Sequence, residues 1–348
     1  MLSFTALRLV KILILKPSSL GDVVQALPVL RLIKRHLPDS EVHWWIDSHL
    51  APLLEGDPDL AGVVLFERRR SAALRHWPEM WHSIRWLRQQ AFDRVIDLQC
   101  LLRSGVFAWL TNGKLSIGLD EPREGARGFY DLIVRRPSAL THAVDWYLGV
   151  LPLLGVPVDW NFQWLPERPA LAESVQRKWP VGKAQWIVIQ PGARWANKRW
   201  PAESYAELVR LLAAANPTLH FVILGGTEDR SLGEVVARGS ATRCLDLTGR
   251  ITLPEMVEWI RLSKLMVTND TGPMHVAAAL GKPVVALFGP TEPRRTGPYH
   301  QIEHVVRFDL PCAPCLKSRC AHVKPLECLQ SIPPAAVLDA VHRRLGCI

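Results

Sequence analysis

Short runs of aliphatic and β-branched residues recur through the first half of the chain: "LRLVKILIL" at 7–15, "EVHWWID" at 41–47, "GVVLF" at 62–66, "RVIDLQ" at 94–99 and "LSIGL" at 115–119. Between most of them the apolar positions fall at helical spacing, as in "VVQALPVLRLIKRHL" at 23–37. That alternation predicts a parallel sheet with helices on both faces. The pattern restarts after "VPVDWNFQWLPERPA", with "QWIVIQPG" at 185–192, "LHFVILGG" at 219–226, "RCLDLTG" at 243–249, "LMVTND" at 265–270 and "PVVALFG" at 283–289. Each of these is followed by a loop and a helical segment, so the second half reads as a doubly wound sheet in its own right.

The expectation is an α/β protein of two Rossmann-like domains, 1–165 and 166–348, divided within the Trp- and Pro-rich stretch 157–170. Two such domains are expected to face one another, with active residues where strand C-terminal ends meet loops. The last helix can pack back on the first domain.

Composition narrows this picture. A chain of 348 residues exceeds the size at which one core usually keeps growing, and 48% hydrophobic with 22% charged residues suits a globular protein. The apolar stretch at 7–15 is broken by Arg8 and Lys11 and stops at Lys16-Pro17, too short to span a bilayer, and 1–6 lacks the pattern of a secretory leader. A cytoplasmic protein is expected. Seven cysteines, an odd number with four near the C-terminus, do not form a secreted disulfide framework. The net charge of +9, carried mostly by the second half, suits an acidic partner such as a nucleotide or a phosphorylated lipid. No RNA-binding signature or zinc-finger helix pattern accompanies it, which disfavours nucleic acid.

Four segments of the second half carry candidate chemistry. In "MVTNDTGPMHVAAALGKPVVALFGPT" a buried strand ends at Asn269-Asp270, a Thr-Gly-Pro turn follows, and a helix begins at once, so its N-terminus offers a phosphate site. Asp270 can accept sugar hydroxyl protons and His275 can donate to an oxygen; the plainer readings are a helix cap and a core histidine. In "QPGARWANKRWP", Gly192 lets the backbone pass close to a ligand, and Lys198 with Arg194 or Arg199 can neutralise a diphosphate. In "LGGTEDR", Glu228 is placed to hydrogen-bond a ribose diol, although no GxGxxG fingerprint is present. In "LTGRITLPEM", Thr252 and Glu255 form a capping box, and the loop around them is read as a wall for a base.

In the first half, "KPSSLGDVVQALPVL" sets Asp22 after a glycine at a strand-to-helix turn. Spacing alone leaves a helix cap and a general base equally plausible, and Ser18 and Ser19 are alternative polar groups in the same loop.

Taken together, "SSLGDVVQALPVL", "QPGARWANKRWP", "LTGRITLPEM" and "NDTGPMHVAAALGKPVVALFGPT" resemble, in the same order and over nearly the whole chain, the ADP-heptose:lipopolysaccharide heptosyltransferases of glycosyltransferase family 9. These are inverting enzymes of the two-domain GT-B fold. Two middle stretches, "FERRRSAALRHWPEMWHSIRWLRQQAFDRVIDLQCLLRSG" and "DEPREGARGFYD…HAVDWYLGVLPLLG", look more like the type I branch, which adds the first heptose to the Kdo region, than like type II. The resemblance implies that Asp22 is the general base, that Lys198 contacts the diphosphate and Glu228 the ribose, and that Asp270, Thr271, Gly272, Met274 and His275 hold phosphates and heptose. It implies ADP-heptose as donor, Kdo-lipid A or nascent lipopolysaccharide as acceptor, and no cofactor required for the chemistry. The sequence departs from the family pattern at Cys100, where glycine is expected.

On the acceptor side, "ERRRSAALRHWPEMWHSIRWLRQQ" at 67–90 interleaves Arg68, Arg69, Arg70, Arg75, Arg85 and Arg88 with Trp77, Trp81 and Trp86. The functional reading is a surface for acidic Kdo and lipid A phosphates at the inner leaflet of the membrane; the plain alternative is an amphipathic helix with an aromatic core face. Ser19, Arg103, Arg123 and Arg127 are further acceptor candidates. "PCAPCLKSRCAHVKPLEC" spaces Cys312, Cys315, Cys320 and Cys328 so that a structural metal or a reduced loop would each account for them. The rivals are a GT-B transferase using another nucleotide sugar, a heptosyltransferase of type II, and a binding module without turnover.

Overall fold

The computed structural model describes residues 9–66, 77–121, 124–182 and 184–346, the side chains of 77–83 excepted. The chain divides into two compact units, Met1–Pro166 and Glu167–Ile348. Among the described residues each unit holds a single six-stranded parallel sheet.

The first unit runs β1 (Lys11–Leu15), α1 (Leu20–His36), β2 (Glu41–Asp47), β3 (Gly62–Phe66), α2 (Trp77–Gln90), β4 (Arg94–Asp97), α3 (Leu102–Leu110), β5 (Ser116–Leu119), β6 (Leu132–Val134) and α4 (Ala143–Leu148). Its strand order is β3-β2-β1-β4-β5-β6. Ile12 through Leu15 are wholly buried because β1 is central and covered on both faces. The order reverses between β1 and β4, and in open α/β sheets ligands gather at the carboxyl ends of the strands at such a point. The turn from β1 into α1 carries Lys16 to Asp22 there.

The second unit repeats the plan with α5 (Pro169–Lys178), β7 (Gln185–Gln190), α6 (Ala202–Ala215), β8 (Leu219–Ile223), α7 (Arg230–Ala237), β9 (Cys244–Asp246), α8 (Leu253–Leu262), β10 (Leu265–Asn269), α9 (Gly272–Ala279), β11 (Val284–Phe288), α10 (Pro293–Thr296), β12 (Val305–Arg307), α11 (Glu327–Gln330) and α12 (Pro334–Leu345). Its order, β12-β11-β10-β7-β8-β9, is the same winding, with the reversal between β7 and β10. The loops after these two strands are "PGARWANKRWP" and the Asp270-Thr271 turn. Between β7 and α6 the core is sealed by Trp200 and Tyr205, wholly buried and edge to face at 4.7 Å. The last helix, α12, packs on α6, β10 and β11 of its own unit.

The α/β expectation holds, and every strand read from the sequence is present. Two strands escaped it: β6 and β12, each three residues long and at a sheet edge.

Candidate functional site

In the second unit, the loops after β7, β8 and β10 and the start of α8 enclose a cleft of about 490 Å³. Its lining includes Arg194 and Arg199 from the first loop, Glu228 and Asp229 from the second, Thr271 and Pro273 at the start of α9, and Thr252, Leu253 and Met256 from α8. The volume is that of a small-molecule or nucleotide site. Thr252 is the N-cap of α8, where Glu255 Oε2 accepts from its backbone N–H at 2.7 Å, so a capping box fixes this apolar wall.

The floor is set by Asp229. Gly226 N–H donates to its Oδ2 at 3.1 Å, while among the described residues Oδ1 has no hydrogen bond and faces the Arg199 guanidinium 3.6 Å away. Burial raises the pKa of Asp229 above its ordinary value, against the opposing pull of the Gly226 N–H and Arg199. Gly192 leaves room for this carboxylate: a Cβ there would stand 2.2 Å from Asp229 Oδ2 and force the side chain to move. Arg199 is held in turn by its Nε, which donates to Ala193 O at 2.8 Å.

Lys198 and Asp270 meet next to Thr271. Lys198 Nζ donates to Asp270 Oδ2 at 2.6 Å, and Thr291 Oγ1 donates to the same oxygen at 2.6 Å. Lys198 also lies over the Trp195 ring, 4.8 Å from its centroid. Asn269 locks the two loops together: its Oδ1 accepts from Trp200 N–H and its Nδ2 donates to Pro191 O.

The donor candidates are thus distributed in layers. Arg194, Glu228 and Thr271 line the cleft, Lys198 and Asp270 pair beside it with Gly272 opening α9, and Met274 and His275 are buried in the first turns of that helix, outside the lining. Sequence reading passed over Asp229 in favour of its neighbour Glu228, and passed over Thr291. The signal for Asp229 was available: it precedes α7 as a helix-capping aspartate does.

In the first unit, Asp22 is the third residue of α1 and Ser19 its N-cap. The choice between cap and base is therefore refined: Asp22 is not the N-cap itself, but its Oδ2 accepts from the Ser19 N–H at 2.9 Å and from the Ser19 hydroxyl at 2.6 Å. Lys16, 4% exposed, lies in electrostatic reach of Asp22; its Nζ donates to Leu98 O at 2.8 Å and sits over the Tyr147 ring at 4.7 Å. Burial works against the Lys16 ammonium, yet Tyr147 and Asp22 outweigh it and hold its pKa above the ordinary value.

Beneath this turn, Asp97 at the end of β4 is wholly buried and accepts from Gln99 N–H, Cys100 N–H and the Tyr130 hydroxyl, the last at 2.7 Å. Cys100 has a φ of 51°, in the left-handed region, which explains why glycine is expected there. Its sulfur compensates by donating to Asp97 O at 2.8 Å and accepting from Leu119 N–H at 3.0 Å.

Of the acceptor candidates, Arg103 lies 6.0 Å from the Phe66 ring centroid and Arg127 pairs with Asp120 at 3.0 Å. Arg68, Arg69, Arg70 and Arg123 lie outside the described residues. On α2, Ile84 and Leu87 are buried, while Arg85, Trp86 and Arg88 are exposed.

Each unit is a doubly wound α/β sheet, the second with a nucleotide-sized cleft at its switch point and the first with a carboxylate in the turn after its central strand, the two-domain plan of GT-B glycosyltransferases. Residues 80–325 match glycosyltransferase family 9 (heptosyltransferase). Lipopolysaccharide heptosyltransferase 1 of Pseudomonas aeruginosa is 30% identical over 90% of this chain and 88% of its own length. Lipopolysaccharide heptosyltransferase 2 of Escherichia coli is 28% identical over 86% and 88%. Among solved structures, a family 9 glycosyltransferase from Veillonella parvula superposes with a TM-score of 0.81 at 24% identity, covering 97% of both chains. Escherichia coli ADP-heptose lipopolysaccharide heptosyltransferase II does so with a TM-score of 0.75 at 24% identity, covering 97% of this chain and 98% of its own. The chain belongs to glycosyltransferase family 9, and it is a glycosyltransferase of the GT-B class.

Proposed function

We propose that the protein transfers L-glycero-D-manno-heptose from ADP-heptose to the Kdo region of the lipopolysaccharide inner core, with inversion at the anomeric carbon. The observation that carries the donor half of this reading is the second unit's cleft, where Arg194, Arg199 and the start of α9 offer cations and dipole to a diphosphate, Glu228 a carboxylate to a ribose, and Met256 and Leu253 an apolar wall to a base. The relatives' names supply heptose and lipopolysaccharide; type 1 relatives are 30% and 24% identical and type 2 relatives 28%, so the choice of the first heptose rests on the likeness of 66–105 and 120–155 to the type I branch.

In this reading Asp22 takes the proton of the acceptor hydroxyl as that oxygen forms its bond to the anomeric carbon. The bond from that carbon to the diphosphate breaks, its electron pair leaving on ADP, whose growing charge meets Lys198 and the neighbouring arginines. A positioned base contributes about 10² to 10⁴ in rate and preorganised cations a comparable factor. No metal is assigned to the chemistry. Ser19, Arg103 and Arg127, with Arg68, Arg69, Arg70 and Arg123, are proposed for the acceptor.

The acceptor is a membrane lipid, and among the described residues no helix is long and apolar enough to cross a bilayer. We place the enzyme on the inner face of the inner membrane as a peripheral protein. Exposed apolar residues on the first unit support this: Trp86 on α2 and Trp109 on α3 are 41% and 62% exposed, with Arg85 and Arg88 beside the former.

The test is ADP release from ADP-heptose with Kdo-lipid A, with the same acceptor already bearing one heptose, and with no acceptor. Release only with the first acceptor is expected. Release only with the second moves the enzyme to type II; release from a UDP-sugar but not ADP-heptose changes the donor; release with none overturns the reading.

A further inference from the structure

Residues 308–326, between β12 and α11, contain neither helix nor strand. Structureless segments of this length are uncommon in compact domains unless something fastens them. Two bonds tie this one to the body of the second unit: Leu316 N–H donates to Pro290 O at 2.7 Å, and Asn197 Nδ2 donates to Lys317 O at 2.8 Å. Both anchors belong to the loops that position Lys198 and Thr291.

Three of the four cysteines of the C-terminal motif lie in this segment, and the fourth, Cys328, lies in α11 just after it. Cys312, Cys315, Cys320 and Cys328 all line one cleft of about 170 Å³, together with Lys317 and Arg319. All four are free thiols, and Cys328 has the other three within electrostatic reach. Cys328 is rooted at the start of α11 against the end of β11, its sulfur so close that a Cβ on Gly289 would stand 2.8 Å from it. Leu326 N–H points at Cys320 Sγ, 3.4 Å away, as backbone amides do around metal-bound thiolates. His322 shares the cleft, but its Nδ1 is occupied by Lys324 O at 3.2 Å and Glu327 at 3.5 Å.

We propose that Cys312, Cys315, Cys320 and Cys328 bind one thiophilic metal ion, zinc or iron, in a structural tetrathiolate site that staples the 308–326 loop beneath the donor-site loops. Four sulfur ligands complete a closed tetrahedral shell, leaving no position for substrate. Each thiol gives its proton to solvent as it ligates, and Lys317 and Arg319 offset the excess negative charge of four thiolates around a divalent ion. Among the described residues no three His, Cys, Asp or Glu groups stand at metal-holding spacing. The ion therefore draws the sulfurs in from the cleft wall to about 2.3 Å, coupling its binding to closure of the loop. This rests on the cysteine loop alone and not on the transferase reading.

The experiment is elemental analysis and visible spectroscopy of the full chain, purified without an affinity tag from cells grown with zinc and iron. About one ion per chain is expected. A thiolate-to-metal absorption band identifies iron; a colourless protein that gains the bands of tetrahedral cobalt on exchange with Co²⁺ identifies zinc. The Cys312→Ser/Cys315→Ser variant should lose the ion, and Cys244→Ser, on β9 away from the loop, should keep it. A thiol reagent provides a readout that needs no variant: the native protein should show about four fewer reactive thiols before a chelator than after it. Wild-type protein with no stoichiometric metal and no band with Co²⁺, retention of the metal by the double variant, or a thiol count indifferent to chelator would each overturn the proposal.

Discussion

Asp22 Oδ2 receives both the backbone N–H and the hydroxyl of Ser19, at 2.9 and 2.6 Å. The same oxygen thus completes the first turn of α1 and belongs to the carboxylate proposed as base. The two roles separate by magnitude. Loss of a cap costs about 1 kcal/mol of stability, whereas loss of a base lowers turnover by about 10² or more while folding survives. Asp22→Asn retains an oxygen for Ser19 and cannot take a proton. It is expected to melt near wild type, to bind ADP-heptose with unchanged affinity, and to turn over at less than about a hundredth of the wild-type rate. Ser19→Ala should show the reverse profile, a stability loss of about 1 kcal/mol with turnover reduced far less. Near-normal turnover of Asp22→Asn removes Asp22 from the chemistry.

The Lys198–Asp270 pair makes a second prediction. Both groups are largely buried, and Asp270 is also bonded to Thr291, so the lysine is the member with capacity to turn toward a diphosphate. Replacing Lys198 by Met keeps the stem over Trp195 and removes the charge. ADP affinity should fall by about tenfold or more, the worth of a hydrogen bond to a charged group. Calorimetry on the variant reads this directly, and unchanged affinity would detach Lys198 from the donor.

These two sites were unequally legible in the sequence. The winding of both sheets was plain because central parallel strands are apolar throughout, as Ile12 to Leu15 and Leu265 to Val267 are. The edge strands β6 and β12 were not, since three half-exposed residues carry no period to count. Loops that follow strands at the switch points announced themselves through Gly192, Lys198 and Asp270. Asp229 did so only as a helix cap and Thr291 not at all: their importance lies in contacts made across 37 and 21 residues of sequence, to Gly192 and Asp270. No local pattern records such pairings. Asp22 was visible as a residue, but its arrangement with Ser19 needed the helix start to be placed to within a residue, and helix ends are where sequence reading is least sharp.

Cys100 offers a test of backbone strain. Its φ of 51° costs a residue with a Cβ about 1 to 2 kcal/mol, partly offset by the two hydrogen bonds of its sulfur. Cys100→Ala loses the sulfur and keeps the strain; Cys100→Gly loses the sulfur and relieves it. The glycine variant should therefore be the more stable of the two by about 1 kcal/mol in denaturant titration, although glycine is ordinarily the more destabilising replacement. The opposite ranking would mean that the left-handed conformation at this turn is not what disfavours a side chain.

Asp229 predicts a pH dependence of nucleotide binding whose sign follows from its surroundings. Its pKa is raised by burial, with the Arg199 guanidinium facing it and Glu228 beside it adding negative charge. A diphosphate in the cleft brings further negative charge toward Asp229 and competes for Arg199, both of which raise that pKa again. Binding therefore takes up a proton at Asp229, and by linkage affinity gains as pH falls from neutrality toward the carboxylate range and weakens as pH rises. Titration of the ADP phosphates contributes its own slope, so the comparison is with Asp229→Asn. The variant keeps an oxygen for the Gly226 N–H and a residue type suited to the N-cap of α7. Calorimetric ADP affinities measured across a pH series should draw together between the two proteins as pH falls and separate in favour of the variant as pH rises. Parallel curves would show that Asp229 does not change its protonation when the cleft fills.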